Sequence, residues 1–259
     1  MNLSIKIFCA LLRRDIKIMY TKLFDSLING TVFISFQVLI FGYLFPLMGM
    51  SPDLIAPIFL GSLLTTMFTH GYTVSLNFVY DLHYDRFIDY HLTLPLPKRW
   101  LFLTYVLSTM LELVCTTIPI ILFGTVLLGN RFVITHTHWP ALLYCYIITL
   151  LLFSLFFLSM SFVCSFVWFR ENIWARVLSP LLAFGCTLFP WSSVMSISPC
   201  AAWCMRLNPL TYVNEGWRAA LLGDPMYLPL SICLPIMTVL VLCLIFLLRY
   251  GIYKQLDPL

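Results

Sequence analysis

Four polar side chains stand where the surrounding sequence is apolar enough for lipid: Gln37, His70, Asn77 and Glu112. Glu112 is the most unusual of them. On a helix starting near Trp100 it would lie about 18 Å along the axis, past the middle of a roughly 30 Å hydrocarbon core. A carboxylate at that depth is costly unless it is neutralised or paired in the protein interior. Packing or gating is the favoured role, ahead of direct substrate binding. A proton-carrying role in an ion-gradient-driven transporter is a rival reading, and no inverted repeat accompanies it. Gln37, His70 and Asn77 would turn towards the bundle or a pathway.

A second group sits at 80–99, YDLHYDRFIDYHLTLPLPKR, a run too polar for a bilayer between long apolar segments. Continued as a helix, it places Asp81, Asp85 and Asp89 on one face, with His83, Phe87, Tyr90 and Leu94 lining another. An aromatic ridge packs into a partner's groove, and an acidic stripe sets its register. Arg86 reaches Asp89 or the partner. Pro95 and Pro97 stop the helix, and Lys98, Arg99 and Trp100 anchor the next span at the inner interface. The rival is a solvated loop with incidental aromatics.

Other constellations carry less. His136 and His138 have HxH spacing but no neighbouring carboxylate or cysteine, and read as solvated loop. Cys200 and Cys204, four apart on one helical stretch, are poorly placed to pair, and free thiols are expected. Arg170, Glu171, Asn172 and Arg176 form a short turn that either contacts a partner or merely sets topology. Glu215 and Arg218 are spaced i, i+3 and could pair on a short helix; Asn208 could cap turns around Pro209. The chain contains no GxxxxGK[ST], HExxH or GxSxG. No catalytic site, no metal site and no phosphate-binding loop of its own is expected.

Composition sets the framework that carries these residues. Of 259 residues, 61% are hydrophobic and only 10% charged, with a mean hydropathy of +0.95. A soluble domain carries about 25% charge, so this is an integral membrane protein with little chain left for a soluble domain. Nine cysteines scattered through apolar runs read as small hydrophobes. No secretory cleavage motif follows the first apolar run.

Residues 3–22 place Ile5, Phe8, Leu12, Ile16 and Met19 on an apolar stripe, with Lys6, Arg13, Arg14 and Lys17 away from its centre. This predicts an amphipathic interfacial helix. Spans are expected at about 23–45, 53–79, 100–128, 139–169, from 177 to an uncertain end near Pro190, and 226–250: six in all. Residues 191–225 are too broken for a span and too apolar for a linker, and predict short helices dipping into the outer leaflet. Pro209 would interrupt one piece and 214–222 form another. With the N-terminus inside, inner segments hold twelve of the fifteen Lys and Arg. Only Arg131, Arg206 and Arg218 fall outside, so both termini and 80–99 are expected in the cytoplasm.

Two local stretches bring a resemblance into view: YDRFIDYHLTLPLPKRW at 84–100 and LNPLTYVNEGWRAALLG at 207–223. The chain resembles the permease subunit of ABC-2 family exporters, nearest the nodulation-factor, daunorubicin and polysaccharide type, over essentially its whole length. The resemblance implies an all-α, type V exporter-like membrane domain in the bacterial inner membrane. It works as a dimer, most simply a homodimer, with two copies of a separate subunit that binds ATP and magnesium. The segment around Asp81–Leu92 would be the coupling helix, Arg13, Arg14 and Lys17 would lie on a connecting helix, and 198–222 would be re-entrant. Cargo would be an amphipathic, lipid-linked, polysaccharide or drug-like molecule; nucleic acid is not an expected partner. A non-transporting membrane scaffold is the remaining rival.

Overall fold

The computed structural model describes residues 3–49, 51, 54–80, 91, 93–129, 137–164, 172–223 and 225–256. The coupling residues Asp81, His83, Asp85, Arg86, Phe87, Asp89 and Tyr90 lie outside them, as do His136, Arg170 and Glu171.

Helix α1 spans Leu3–Gln37 and continues through a π-helical stretch, Val38–Leu44, and a last turn, Phe45–Leu47, that carries Pro46 in its first turn. Residues 3–22, expected as an interfacial helix, are helical and run without a break into the first span. The physical reason lies in composition. No proline occurs before Pro46 and no glycine before Gly30, so nothing stops the helix once it has begun.

Helix α2 (Ile55–Tyr80), α3 (Lys98–Leu128) and α4 (Trp139–Cys164) come next along the chain. A π-helical stretch, Trp174–Leu178, runs into the short helix Ser179–Ala183. Three short helices, α5 (Trp191–Ile197), α6 (Pro199–Met205) and α7 (Pro209–Leu222), precede the long α8 (Leu230–Leu256). Among the described residues every regular element is helical.

Among the described residues four helical stretches, not six, are long and apolar enough to cross a membrane: Leu23–Leu47, Arg99–Leu128, Trp139–Ser161 and Leu230–Arg249. Two expected spans fail for different reasons. Helix α2 is long, but from Thr65 onwards it carries Thr65, Thr66, Thr69, His70, Thr73, Ser75 and Asn77, which lower its hydropathy. It is an interior helix whose apolar first half, including Leu60, Leu63 and Leu64, is buried against its neighbours. The span expected from residue 177 is not a continuous helix. It breaks after Ala183 into a turn containing Cys186, whose φ of 55° is the left-handed conformation that ends a helix.

Helices α1 and α3 run parallel: near their starts Arg14 and Tyr105 both meet His91, whereas near their far ends Leu127 accepts a hydrogen bond from Tyr43 Oη (2.8 Å). The α2–α4 seam shows how the bundle closes. Phe68 stacks edge-on against Phe153 and Phe157, with centroids 5.5 and 4.8 Å away. Ser75 and Ser161 hydroxyls bond across the seam at 2.8 Å. Small residues permit such close approach and polar ones fix it where no water competes.

Helix α7 has complete boundary signals. Asn208 caps it by accepting from the Leu210 N–H (3.0 Å), and Gly223 ends it at φ 64°. Pro209 occupies the first turn rather than interrupting a helix, because the missing N–H there has no partner to lose.

Candidate functional site

Three of the four polar residues singled out in the sequence, His70, Asn77 and Glu112, converge on one cleft between α1, α2 and α3. Its wider part is a cavity of about 490 Å³ between α1 (Asp25, Asn29), α2 (His70, Asn77) and α3 (Glu112, Thr116). It joins a smaller cavity of about 180 Å³ through the shared residues Val74, Asn77 and Glu112. Glu112 therefore sits at the junction. His70 Nε2 stands 3.7 Å from Glu112 Oε1, too far for a hydrogen bond. That nitrogen is buried and has no hydrogen-bond partner. The forty-two positions separating the two residues hid their proximity from any reading of spacing. Gln37 is elsewhere, beside Val38, Gly42 and Ser62 near the far end of α1.

The smaller cavity ends at a latch. Arg14 on α1 donates from Nη1 to His91 Nε2 (2.6 Å), and the other ring nitrogen, Nδ1, lies 2.9 Å from Tyr105 Oη on α3. Because a guanidinium can only donate, Nε2 accepts, and a neutral ring then carries its proton on Nδ1 and donates to Tyr105. Burial, and next the Arg14 charge, hold the His91 imidazole below its ordinary pKa, with Asp15 opposing. The neutral form that this hydrogen-bond pattern needs is therefore the favoured one. Asp15 Oδ1 accepts from Arg14 Nε (2.9 Å) and Nη2 (2.6 Å), aiming the guanidinium. His91, 3% exposed, is the described residue that follows 81–90, so the chain leaving that segment is fastened to two long helices. Arg13 and Lys17 point to the surface.

At the opposite end of the bundle, Glu215 and Arg218 form a buried ion pair at 3.1 Å, both fully enclosed by protein. The sequence showed only their spacing. Arg218 also donates to the carbonyls of Pro57, Cys186, Thr187 and Phe189, the shortest at 2.7 Å. Glu215 accepts from the backbone N–H of Trp191 and of Leu228, both at 3.1 Å. One pair thus ties α7 to the start of α2, to the 184–189 turn, to the first residue of α5 and to the approach to α8. Arg206, the other cation of residues 191–225, stacks over Trp191 (4.2 Å) and Trp203 (4.5 Å), joining α5 to α6. Cys200 and Cys204 are free thiols. Asn172 precedes the Trp174–Leu178 stretch and Arg176 lies within it. Among the described residues no group of three or more His, Cys, Asp or Glu could hold a metal.

A multi-pass helix bundle with a polar cleft inside it is an architecture that suits a membrane transport protein. A family model for the ABC-2 type transporter matches residues 6–222, and the chain belongs to that family. It is a membrane-embedded permease of the ABC type. No curated protein and no solved structure matches the chain.

Proposed function

We propose that this chain is the membrane half of an ATP-driven exporter in a bacterial inner membrane, powered by a separate ATP-binding subunit. Two copies of each subunit make the working complex, and both chain termini are cytoplasmic. Segment 80–99 is the coupling surface: Phe87 and Tyr90 pack into the ATP-binding subunit, while Asp81, Asp85 and Asp89, with His83 and Arg86, set the register. Binding of ATP draws the two nucleotide subunits together and displaces the coupling segments. The permease then alternates between inward access and outward release, an equilibrium that nucleotide biases from a distance. Cargo is amphipathic, of the lipid-linked, polysaccharide or drug-like kind.

The observation that carries this reading is the latch. A push on 81–90 reaches His91 next, and His91 is bonded to α1 through Arg14 and is 2.9 Å from the Tyr105 hydroxyl of α3, two walls of the polar cleft. Force applied to the segment therefore has a direct path to the cavity lining.

The test is retention of the ATP-binding subunit by the affinity-purified permease. Buried aromatic anchors at an interface contribute about 2 kcal/mol or more each. The variant carrying Phe87→Ala and Tyr90→Ala is expected to insert normally and to retain at least about tenfold less subunit. Undiminished retention together with undiminished stimulated hydrolysis would contradict the proposal.

A further inference from the structure

We infer that the α1–α2–α3 cleft binds the ammonium end of an amphiphilic amine. This names a cargo class for the exporter proposed above and rests on that reading.

The cavity offers a ligand mostly hydrogen-bond acceptors. Each threonine lining its wider part gives its hydroxyl proton to its own helix. Thr66, Thr69 and Thr73 donate to the carbonyls of Ser62, Thr65 and Thr69, at 2.9, 2.8 and 3.2 Å. On α3, Thr116 donates to Glu112 O (3.0 Å) and Thr117 to Leu113 O. A hydroxyl has one proton and two lone pairs, so these oxygens have only acceptor capacity left. Carboxylates at Asp25 and Glu112 add acceptors, and among the described lining residues of this cavity there is no lysine or arginine. The chain as a whole leans the other way, with fifteen Lys and Arg against eleven Asp and Glu. An acceptor-rich, acidic cavity in a basic protein selects a ligand that donates hydrogen bonds and carries positive charge. An ammonium group does both.

The buried His70 Nε2 points the same way. It stands 3.7 Å from Glu112 and has no hydrogen-bond partner, so a polar group seated beside the two in the cavity would supply one. Such a group removes the cost of an unsatisfied buried atom. Away from that end the walls are apolar, with Phe33, Leu63, Met67 and Ile120 facing the same cavity. One ligand with a cationic head and an apolar body matches both ends. Asp25 and Asn29, exposed on α1, stand at the cavity's open side.

The experiment uses the full chain in phosphatidylcholine nanodiscs, without nucleotide and without the ATP-binding subunit. The probes are dansylcadaverine, a fluorescent amphiphilic amine, and the carboxylate of matching size, dansyl-6-aminohexanoate. Saturable binding of the amine at least about tenfold tighter than the acid is expected. Glu112→Gln should weaken the amine roughly tenfold and leave the acid unweakened. Asp25→Asn, at the exposed side where folding is not at stake, should weaken the amine in the same direction and serves as the test if Glu112→Gln fails to fold. Equal affinities for the two probes, or amine binding unchanged in the neutralised variants, would overturn the inference. Because binding is read without the ATP-binding subunit, the two readings fail separately. Loss of selectivity removes the cargo class while subunit retention stands, and failed retention removes the exporter reading while the site stands.

Discussion

Arg218→Met should destabilise the permease by about 3–5 kcal/mol, the range for breaking a buried ion pair from one side. The guanidinium is fully enclosed, and its nitrogens reach four backbone carbonyls as well as Glu215 Oε1. Removing it strands a buried carboxylate and leaves the carbonyls of Cys186 and Thr187 without their 2.7 Å donors. Arg218→Lys should recover little, since an ammonium presents three donors from one point and cannot serve acceptors spread around a planar fork. Glu215→Gln should cost less. It keeps an acceptor oxygen for one of the Trp191 and Leu228 N–H groups, while the other faces the new NH2 and the charge-assisted bonds, each contributing about 1.5–3 kcal/mol, are weakened. Monodispersity of detergent-solubilised protein after stepwise heating would rank the three. An Arg218→Met protein as heat-resistant as the parent would mean that the pair holds nothing together.

Gly61→Ala should be nearly as damaging, by about 3 kcal/mol, the upper end of overpacking costs. A Cβ at Gly61 would collide with the carbonyl oxygen of Thr187, and the Thr187 carbonyl carbon would lie only 2.6 Å away. That oxygen cannot step aside, because Arg218 Nη2 holds it at 2.7 Å. Gly71 on the same helix makes the informative contrast. There a Cβ meets the Phe157 ring at 2.5 Å, a side chain rather than a carbonyl held by a hydrogen bond, so Gly71→Ala should cost less. Since Gly61 and Arg218 act on one carbonyl, the combination of Gly61→Ala with Arg218→Met should be clearly less than additive. The same heating series checks this, and strict additivity would show the two contacts to be independent.

The helical, membrane-embedded character and the family are legible in the sequence, because they rest on local quantities: long apolar runs, scarce charge and the two motifs at 84–100 and 207–223. Helix α7 is half legible for the same reason. Its Asn-Pro start and Gly end are local signals, but Pro209, a helix breaker by residue type, is a first-turn residue by position. Counting spans fails where a decision needs neighbours. The polar second half of α2 resembles a lipid-facing span only if His70, Thr73 and Asn77 are assumed to be tolerated there; in the structure they face the cleft. Likewise, Arg218 is visible as a charge four positions after Asn214, yet its main partners are carbonyls of Pro57, Cys186, Thr187 and Phe189. Those side chains announce nothing about their backbone oxygens. The latch is invisible for a similar reason. Arg14 and His91 are seventy-seven residues apart, and only an unbroken α1 brings them together.

The central claim is that the acidic, aromatic segment receives force from an ATP-binding subunit on the cytoplasmic side, and maleimide labelling tests it most directly. A Phe87→Cys variant, built on a background in which the nine native cysteines are replaced, is treated with a membrane-impermeant maleimide in inside-out and in right-side-out vesicles. Labelling is expected in inside-out vesicles only, with protection when the ATP-binding subunit is added. Labelling from the outer face, or labelling that the subunit leaves untouched, would contradict the claim.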